Sequence, residues 1–499
     1  MSAGTDWQGS VFEVRLGAPG HGGFCVARHE GRVLFVRHGL PGELVRALVT
    51  EDRGGSFCRA DAVEILEPSA DRVPATCPVS GPGGAGCCDF SFATPQYQRE
   101  LKRLVVVEQL RRLANWEPEF TVEPIPVPAA VPLAVLGAGV AQHGSARVGA
   151  PGRVGSVATH LADGLLARPD VVTPSSDSTV SRAESAGAAV ASIDDAVAGY
   201  PAGWRSRMRL VVDADGRAGV HGYRSTEVIT DLRCPQPMPG AMSGIAEKKW
   251  TPGADLVVAM DGDGLRHIVE LAPAPVDTRN GRGRNGGDRR STNARRAAAH
   301  SARAEHAVEG SGRTAQYVAG RRWELSATGF WQPHYGAAQC YSDVIAEWSQ
   351  AATGALTWDL YCGVGVFAAR LATQTGPTGQ VHGIESARTA ITEGRSSLRD
   401  LPWVELTADR VERWITEQPS TPPDVVVLDP PRAGAGKDVI AALAARTPRR
   451  IVHIGCDPAA FARDLGLYRA AGYEPAALRV FDAFPGTHHV ECITLLEPA

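Results

Sequence analysis

Hydrophobic and polar residues follow a different pattern in each of three regions of this chain. In residues 1–70, short apolar runs at 11–16 and 32–36 are separated by turn residues, which is typical of short β-strands. About five strands of this kind suit a small Greek-key barrel of the oligonucleotide-binding type. Any other small all-β domain fits the alternation equally well, so the pattern leaves both interpretations open.

The second region, residues 71–325, mixes helical and strand-like periods. The segment YQRELKRLVVVEQLRRLANW has apolar residues at helical spacing, with basic residues between them. Residues 203–225 predict two strands joined by an Asp-Gly turn, and a loose stretch rich in Gly, Ala and Ser lies near residues 143–200. We therefore expect a central α+β domain.

Residues 273–312 lose the apolar pattern and are rich in arginine. This composition predicts a disordered basic insertion within the central domain. Such a segment either holds RNA phosphates through charge alone or is a solvated loop without a role.

In the third region, residues 326–499, strand and helix patterns alternate from residue 355 onward. The runs LTWDLYC, VHGIE, VVVLD and RIVHIGC are strand-like, and the last part resembles two strands joined as an antiparallel pair. This alternation predicts an α/β domain with a mostly parallel, Rossmann-like sheet flanked by helices.

Composition narrows the function classes. A length of 499 residues allows about two to four domains, and a net charge of -4 excludes a globally basic nucleic-acid binder but not a local basic patch. The chain has no apolar run long enough to cross a bilayer, and its first ten residues lack the features of a signal peptide. We expect a cytoplasmic protein without an obligate protein partner, in which the ten cysteines are thiols or ligands before they are disulfides.

A glycine motif, DLYCGVGVFAA, begins at Asp359 at the end of a predicted strand. Gly363 and Gly365 let the backbone turn tightly beside a ligand, and Glu385 ends the next predicted strand, where a carboxylate can accept hydrogen bonds from ribose hydroxyls. The motif predicts a nucleoside cofactor. Since Gly363, Gly365 and Ala368 also satisfy the relaxed dinucleotide fingerprint, a hydride-transfer enzyme is an alternative at this point.

Three further residues carry reactive groups. Asp429 and Cys456 end two later predicted strands, at the edge where ligands of α/β sheets bind, and Glu491 lies near the terminus. Most such cysteines are buried apolar residues, and most such glutamates are solvated. Together, however, a thiol and a carboxylate suit one reaction on uracil. A thiolate that adds to C6 makes C5 nucleophilic toward a methyl group, and a base then removes the C5 proton. Cys456 fills the first role and Glu491 the second.

At these residues the sequence resembles the RNA uracil-5 methyltransferase family, which uses S-adenosylmethionine, over nearly the whole chain. The resemblance implies an RNA-binding TRAM domain in residues 1–70 and a class I methyltransferase domain in residues 326–499. It also implies cofactor contacts for Gln332 in FWQ, for Tyr361 and for Glu385, and a polar contact with adenine for Asp409. It implies that Asp429 is the acid of the DPPR motif, Cys456 the nucleophile and Glu491 the base.

The sequence departs from the family pattern at two places in the catalytic domain. Val366 stands where members often have Asn, so one cofactor contact is in doubt. The segment GCDP replaces the commoner S-C-N-P, which keeps Cys456 but changes its neighbours.

A cysteine loop, CPVSGPGGAGCCDF, is similar to the family's iron–sulfur loop but also departs from it. One cysteine is absent from the expected C-G-G-C element and another follows two residues later. Four thiols remain for a four-iron cluster, namely Cys77, Cys87, Cys88 and Cys234. A loop that has lost its cluster and a zinc site are the alternatives.

The sequence thus predicts an enzyme that methylates C5 of a uridine in tRNA or ribosomal RNA. A methyltransferase acting on cytosine and a non-catalytic RNA-binding protein with a decayed methyltransferase domain are the competing hypotheses. The dinucleotide oxidoreductase ranks last, because it leaves the Asp429 motif and Cys456 without a role.

Overall fold

The computed structural model describes residues 6–126, 202–274, 303–418 and 421–499. These residues form an N-terminal barrel, a central antiparallel sheet, a separate hairpin and an eight-stranded mixed sheet with helices on both faces. Within these ranges, no helix is both long enough and apolar enough to cross a membrane.

The N-terminal barrel is a six-stranded sheet in the order β1-β5-β6-β4-β3-β2. Alternate residues of its strands, such as Leu34 and Val36, fill one apolar core, which confirms the predicted small β-barrel. The strands are β1 (Val11–Arg15), β2 (Pro19–Gly20), β3 (Phe24–His29), β4 (Arg32–Arg37), β5 (Leu44–Asp52) and β6 (Phe57–Glu67).

Helix α1 (Pro95–Ala114) confirms the helical period of the basic segment. The Thr94 hydroxyl caps it by accepting the Tyr97 amide, and Pro95 occupies the first turn, where no amide donor is needed. The helix packs on α7 (Pro458–Ala470) at Gly466, because a Cβ there would lie 2.5 Å from the Leu113 carbonyl oxygen.

The chain then forms β7 (Val122–Pro124), which pairs in parallel with β21 (Tyr473–Asp482) at the edge of the eight-stranded sheet. Helix α1 and strand β7 both lie within residues 71–325, the range predicted as a central domain. Both pack against the last third of the chain, and β7 is too short to show a period of its own.

The central sheet has the order β10-β9-β8-β11-β12-β13. Strands β8 and β9, the first two along the chain, are joined by the turn at Asp215 and Gly216, as the pattern of residues 203–225 predicts. The strands are β8 (Arg207–Val212), β9 (Ala218–His221), β10 (Val228–Ile229), β11 (Asp255–Met260), β12 (Arg266–Leu271) and β13 (Glu305–Glu309). The Gly/Ala/Ser-rich stretch near 143–200 lies outside the described residues.

The prediction of disorder across residues 273–312 is wrong at its C-terminal end. Arg303 donates hydrogen bonds to the carbonyl oxygens of Leu271 and Ala272 and pairs with Asp255, and β13 then runs antiparallel to β12. This edge strand is polar and mostly exposed, which is common at sheet edges and hides the strand from a hydrophobicity pattern. Residues 275–302, which carry most of the arginines, lie outside the described residues.

The hairpin of β14 (Arg313–Val318) and β15 (Arg321–Ser326) leads to the catalytic sheet, whose strand order is β18-β17-β16-β19-β20-β22-β21-β7. Its remaining strands are β16 (Leu356–Leu360), β17 (Gln380–Glu385), β18 (Val404–Ala408), β19 (Val425–Leu428), β20 (Arg450–Gly455) and β22 (Glu491–Pro498). Its other helices are α2 (Ala337–Ser349), α3 (Val366–Thr375), α4 (Arg388–Ser397), α5 (Val411–Glu417) and α6 (Gly436–Ala444).

Strands β16 to β20 are parallel, and the final two strands form the predicted antiparallel pair. Apolar clusters cover both faces of this sheet, so its strands are almost continuously hydrophobic. The α/β Rossmann-like fold predicted for residues 326–499 is confirmed.

Candidate active site

The carboxyl ends of the parallel strands lie at one edge of the catalytic sheet. Strand β20 ends at Gly455 and Cys456 follows, whereas β22 runs antiparallel to β20 and begins at Glu491. Since Gly455 pairs with Cys492, the same register places Cys456 opposite Glu491. The reversed direction of the final strand therefore brings a carboxylate from the end of the chain to the cysteine.

Burial and like charges suppress ionisation of these two groups. The Cys456 thiol is half-buried, and burial, together with the charges of Glu491 and Asp429, raises its pKa to about 12. The Glu491 carboxyl is buried, and burial followed by the charge of Asp429 raises its pKa well above the usual range. The charge of Arg432 lowers both pKa values, and the neighbouring Tyr341 hydroxyl also lowers that of Glu491. Three acidic groups, those of Cys456, Glu491 and Asp429, thus lie close to one another and to the positive charge of Arg432.

Gln332 and Asp429, which are far apart in the sequence, lie together at this edge. The Gln332 side-chain amide is 3.5 Å from Asp429 Oδ2, and burial raises the pKa of Asp429 to about 7. The central sheet holds the segment that carries Gln332, because the amide and hydroxyl of Ser206 both donate to the Pro333 carbonyl oxygen, at 2.8 and 3.1 Å.

The glycine motif forms a strained turn between β16 and α3. Tyr361, Gly363 and Gly365 have φ values of 62°, 55° and 87°, all in the left-handed region that favours glycine. Asp359, at the end of β16, is fully buried. Its Oδ2 accepts the Ala368 amide at 2.7 Å, whereas its Oδ1 is buried without a partner among the described residues. A buried carboxylate oxygen without a donor is costly, so it indicates a missing hydrogen-bonding group.

Glu385 and Asp409 end the next two strands, where the sequence predicts ribose and adenine contacts. Glu385 Oε1 accepts the Ala387 amide at 2.7 Å, and the Asp409 amide donates to the Glu385 carbonyl oxygen. The Asp409 carboxylate is held by Arg413 of the helix that follows it, α5, with a shortest N···O distance of 2.6 Å, and this pairing lowers the pKa of Asp409. Asp409 therefore lies at the predicted strand end, but its side chain is engaged elsewhere.

The predicted cysteine set is only partly brought together. The sulfur atoms of Cys77, Cys88 and Cys234 all lie within 4.8 Å of one another, and the Gln236 side chain donates to Cys88 Sγ at 3.1 Å. Cys87 is exposed and is not one of these three, although a hydrogen bond with the Cys88 thiol lowers its pKa. Hydrogen bonds with the Cys234 and Cys88 thiols lower the pKa of Cys77, whereas the pKa values of Cys88 and Cys234 are raised, mainly by hydrogen bonds within the same group.

Sequence reasoning missed Arg207 and gave Phe330 no role of its own. The terminal nitrogens of Arg207 on β8 are buried without a hydrogen-bond partner among the described residues, and burial lowers its pKa to about 10. Phe330, close to Gln332 in the sequence, is 72% exposed. The alternation of β8 predicts an ordinary surface arginine at position 207, so only its burial reveals the unsatisfied group.

Comparisons with known proteins agree with this geometry. A family model described as TRAM domain matches residues 7–63, and one described as tRNA (Uracil-5-)-methyltransferase matches residues 420–499. A relative from Streptomyces avermitilis, named as an uncharacterized RNA methyltransferase, is 36% identical over 98% of this chain and 99% of its own length. The chain belongs to the RNA uracil-5 methyltransferase family.

Two further relatives extend the comparison. The 23S rRNA (uracil(1939)-C(5))-methyltransferase RlmD of Alkalilimnicola ehrlichii is 27% identical over 97% of this chain and 96% of its own length. The solved structure of Pyrococcus abyssi tRNA (uracil-54, C5)-methyltransferase with S-adenosyl-L-homocysteine is 17% identical, covers 97% of this chain and 100% of that chain, and has a TM-score of 0.59. The chain described here therefore has the same fold as the Pyrococcus abyssi enzyme.

The enzymes of this family use S-adenosylmethionine, and the edge of the catalytic sheet fits that cofactor. A Cβ at Gly363 would meet nothing within 4 Å, so the backbone of the turn is open to a ligand. The unpartnered oxygen of Asp359 lies at the end of the same strand. Membership of this family therefore excludes the dinucleotide oxidoreductase that the glycine motif left open.

Proposed function

We propose that this enzyme methylates C5 of a uridine in tRNA or ribosomal RNA through a covalent bond between Cys456 and C6 of the base. The observation that supports this most directly is the β20–β22 register, which puts the only two groups the reaction needs opposite each other. The open glycine turn at the same sheet edge suits the methyl donor.

Each side chain has one task in this reaction. Cys456 loses its proton to solvent, and its sulfur bonds to C6, which moves the electron pair of the C5–C6 double bond toward C5. Bound S-adenosylmethionine supplies the methyl group that C5 accepts. Glu491 then takes the proton that C5 still carries, the C5–C6 double bond re-forms, and the C6–S bond breaks to release the Cys456 thiolate. The positive charge of Arg432 favours the anionic forms of both residues.

Cofactor contacts belong to the turn and the strand ends around it. We assign to them Gln332, Tyr361, Gly363, Gly365, Glu385 and Asp429. Asp409 contributes through its backbone position, because Arg413 occupies its carboxylate.

The RNA must present its uridine out of the helical stack, because C6 has to reach Cys456.

A four-iron cluster takes four cysteine ligands, and three thiols converge in the described part of the chain. The residues present therefore do not complete the predicted set, and no step of the proposed reaction depends on a cluster.

Mass spectrometry of RNA from a deletion strain tests the proposed function. We expect one 5-methyluridine to disappear from tRNA or ribosomal RNA and to return with the wild-type gene but not with Cys456→Ala. Loss of 5-methylcytidine instead would support the cytosine alternative, and unchanged RNA modification would support a non-catalytic RNA-binding protein.

A further inference from the structure

A groove of about 760 Å³ lies between the outside of the N-terminal barrel and the cysteine loop. Strands β3 to β6 form one wall, and glycines of the cysteine loop, with Tyr223 and Arg224 of the turn between β9 and β10, form the other. None of the residues assigned to the methyl-transfer reaction lines this groove.

Three phenylalanines form a ladder along the barrel wall. Phe24, Phe35 and Phe57 alternate with core residues of their strands, so their rings point away from the core. The ring centroids of Phe24 and Phe35 are 4.6 Å apart, those of Phe35 and Phe57 are 5.4 Å apart, and Phe57 is 47% exposed. Adjacent aromatic rings on the solvent side of a barrel indicate a binding surface rather than a core.

The rest of the groove is rich in guanidinium groups. Arg37 lies over the Tyr223 ring at 3.6 Å from its centroid and is already paired with the buried Asp89 at 2.8 Å. The more accessible Arg59 and Arg224 both pair with Glu51, at 3.4 and 2.8 Å. Rings that stack with bases, combined with arginines that bind phosphates, are the composition of sites for single-stranded nucleic acid. Asp61 and Glu51 are the acids that line the groove, and a phosphate could replace Glu51 on its arginines.

The groove also reaches the catalytic strand end. His21, which lines it, lies 3.1 Å from the carboxylate of Asp457, measured between Nε2 and Oδ2. Asp457 directly follows Cys456 and caps α7. A strand of RNA lying in the groove would therefore continue toward the cysteine.

We propose that this groove binds unpaired nucleotides of the substrate RNA next to the target uridine, with their bases stacked on Phe24, Phe35 and Phe57. The inference rests on the proposed function for the identity of the RNA. Stacking itself requires no methyl transfer, so the two proposals can fail separately.

The test is the affinity of the full-length protein for fluorescein-labelled decauridine, measured by fluorescence anisotropy. Phe57→Leu keeps an apolar side chain but removes the ring, and it should weaken binding about tenfold. Phe57→Tyr keeps the ring and should bind like the wild type. Val11→Ala, at an exposed apolar position on the same barrel, should also have no effect, and the affinity for S-adenosylmethionine should be the same in all variants.

A gain of affinity provides a test that misfolding cannot imitate. Glu51→Gln removes an acid that competes with phosphate for Arg59 and Arg224, so decauridine should bind several times more tightly. Photocrosslinking with 4-thiouridine decamers should label residues 21–61.

Equal affinity of wild type and Phe57→Leu, or crosslinks only outside residues 21–61, would overturn the groove proposal even if uridine methylation is found. Groove-dependent binding without any uridine methylation would instead overturn the proposed function and support the groove as an RNA site.

Discussion

Cys456 lies opposite Glu491, one position beyond the paired residues Gly455 and Cys492. The nucleophile and the base of the proposed reaction thus come from neighbouring antiparallel strands, at a point where the sheet reverses direction. A shift of one residue in this pairing would turn Glu491 to the other face of the sheet. The β20–β22 register is therefore as important for the reaction as the two side chains.

Replacing Glu491 by Gln should trap the covalent intermediate. The amide cannot take the C5 proton, so we expect turnover to fall by about a hundredfold or more while a protein–RNA adduct accumulates. A denaturing gel with labelled RNA and S-adenosylmethionine measures the adduct. The double variant with Cys456→Ala is the control, and any adduct in it would contradict the role of Cys456.

The rate of methyl transfer should rise with pH from neutral to alkaline. Both the Cys456 thiol and the Glu491 carboxyl must lose a proton before they act, and burial raises the pKa of each. Arg432→Gln removes a charge that lowers both pKa values, so the rising limb should move to higher pH. Single-turnover rates across the pH range measure this shift. Arg449→Gln, at the opposite end of β20, should keep the wild-type profile, and identical profiles for all three proteins would argue against the role of Arg432.

Alanine substitutions at the two glycines of the cofactor turn should differ in stability. Gly363→Ala introduces only strain from its positive φ, about 1 kcal/mol, because its Cβ meets nothing. Gly365→Ala adds crowding, because its Cβ would lie 3.1 Å from Leu398 and 3.3 Å from Leu406, so a loss of about 2–3 kcal/mol is expected. Urea unfolding monitored by tryptophan fluorescence compares them. The reverse order would show that the turn relaxes at Gly365.

The cysteine group predicts which substitutions change the metal content. In protein purified without oxygen, Cys88→Ser should lose any bound iron or zinc, whereas Cys87→Ser should keep it, because Cys87 lies outside the group of three thiols. Elemental analysis of both variants and the wild type decides this. A wild-type protein without metal would identify the loop as one that has lost its cluster.

Much of this architecture could be predicted from local patterns. The parallel strands are continuous apolar runs that end in polar residues, so the sheet edge with Gly363, Glu385, Asp429 and Cys456 follows from the alternation alone. The antiparallel pairing of the last two strands is also predicted, but the pairing of β22 with β20, which brings Glu491 to this edge, is not.

The rest depends on contacts between distant segments. Strand β7 has three residues and acquires its role only by pairing with β21. Strand β13 lies at the edge of its sheet and is polar and mostly exposed, so its hydrophobicity pattern resembles that of a disordered loop. The burial of Arg207 and the exposure of Cys87 follow from tertiary packing, which no period along the chain reports. By contrast, the pairing of Asp409 with Arg413 could be predicted, since Asp409 precedes the start of α5 and Arg413 lies four residues further on, in its first turn.

Strand β7 has a consequence for how the protein is made. Its partner β21 lies about 356 residues further along the chain, a separation seen in the ion pair of Glu123 with Arg479. During synthesis, the first strand of the catalytic sheet leaves the ribosome long before the strands that it must join. The catalytic sheet therefore cannot be completed until β21 has been synthesised, whereas all strands of the barrel and of the central sheet are synthesised earlier.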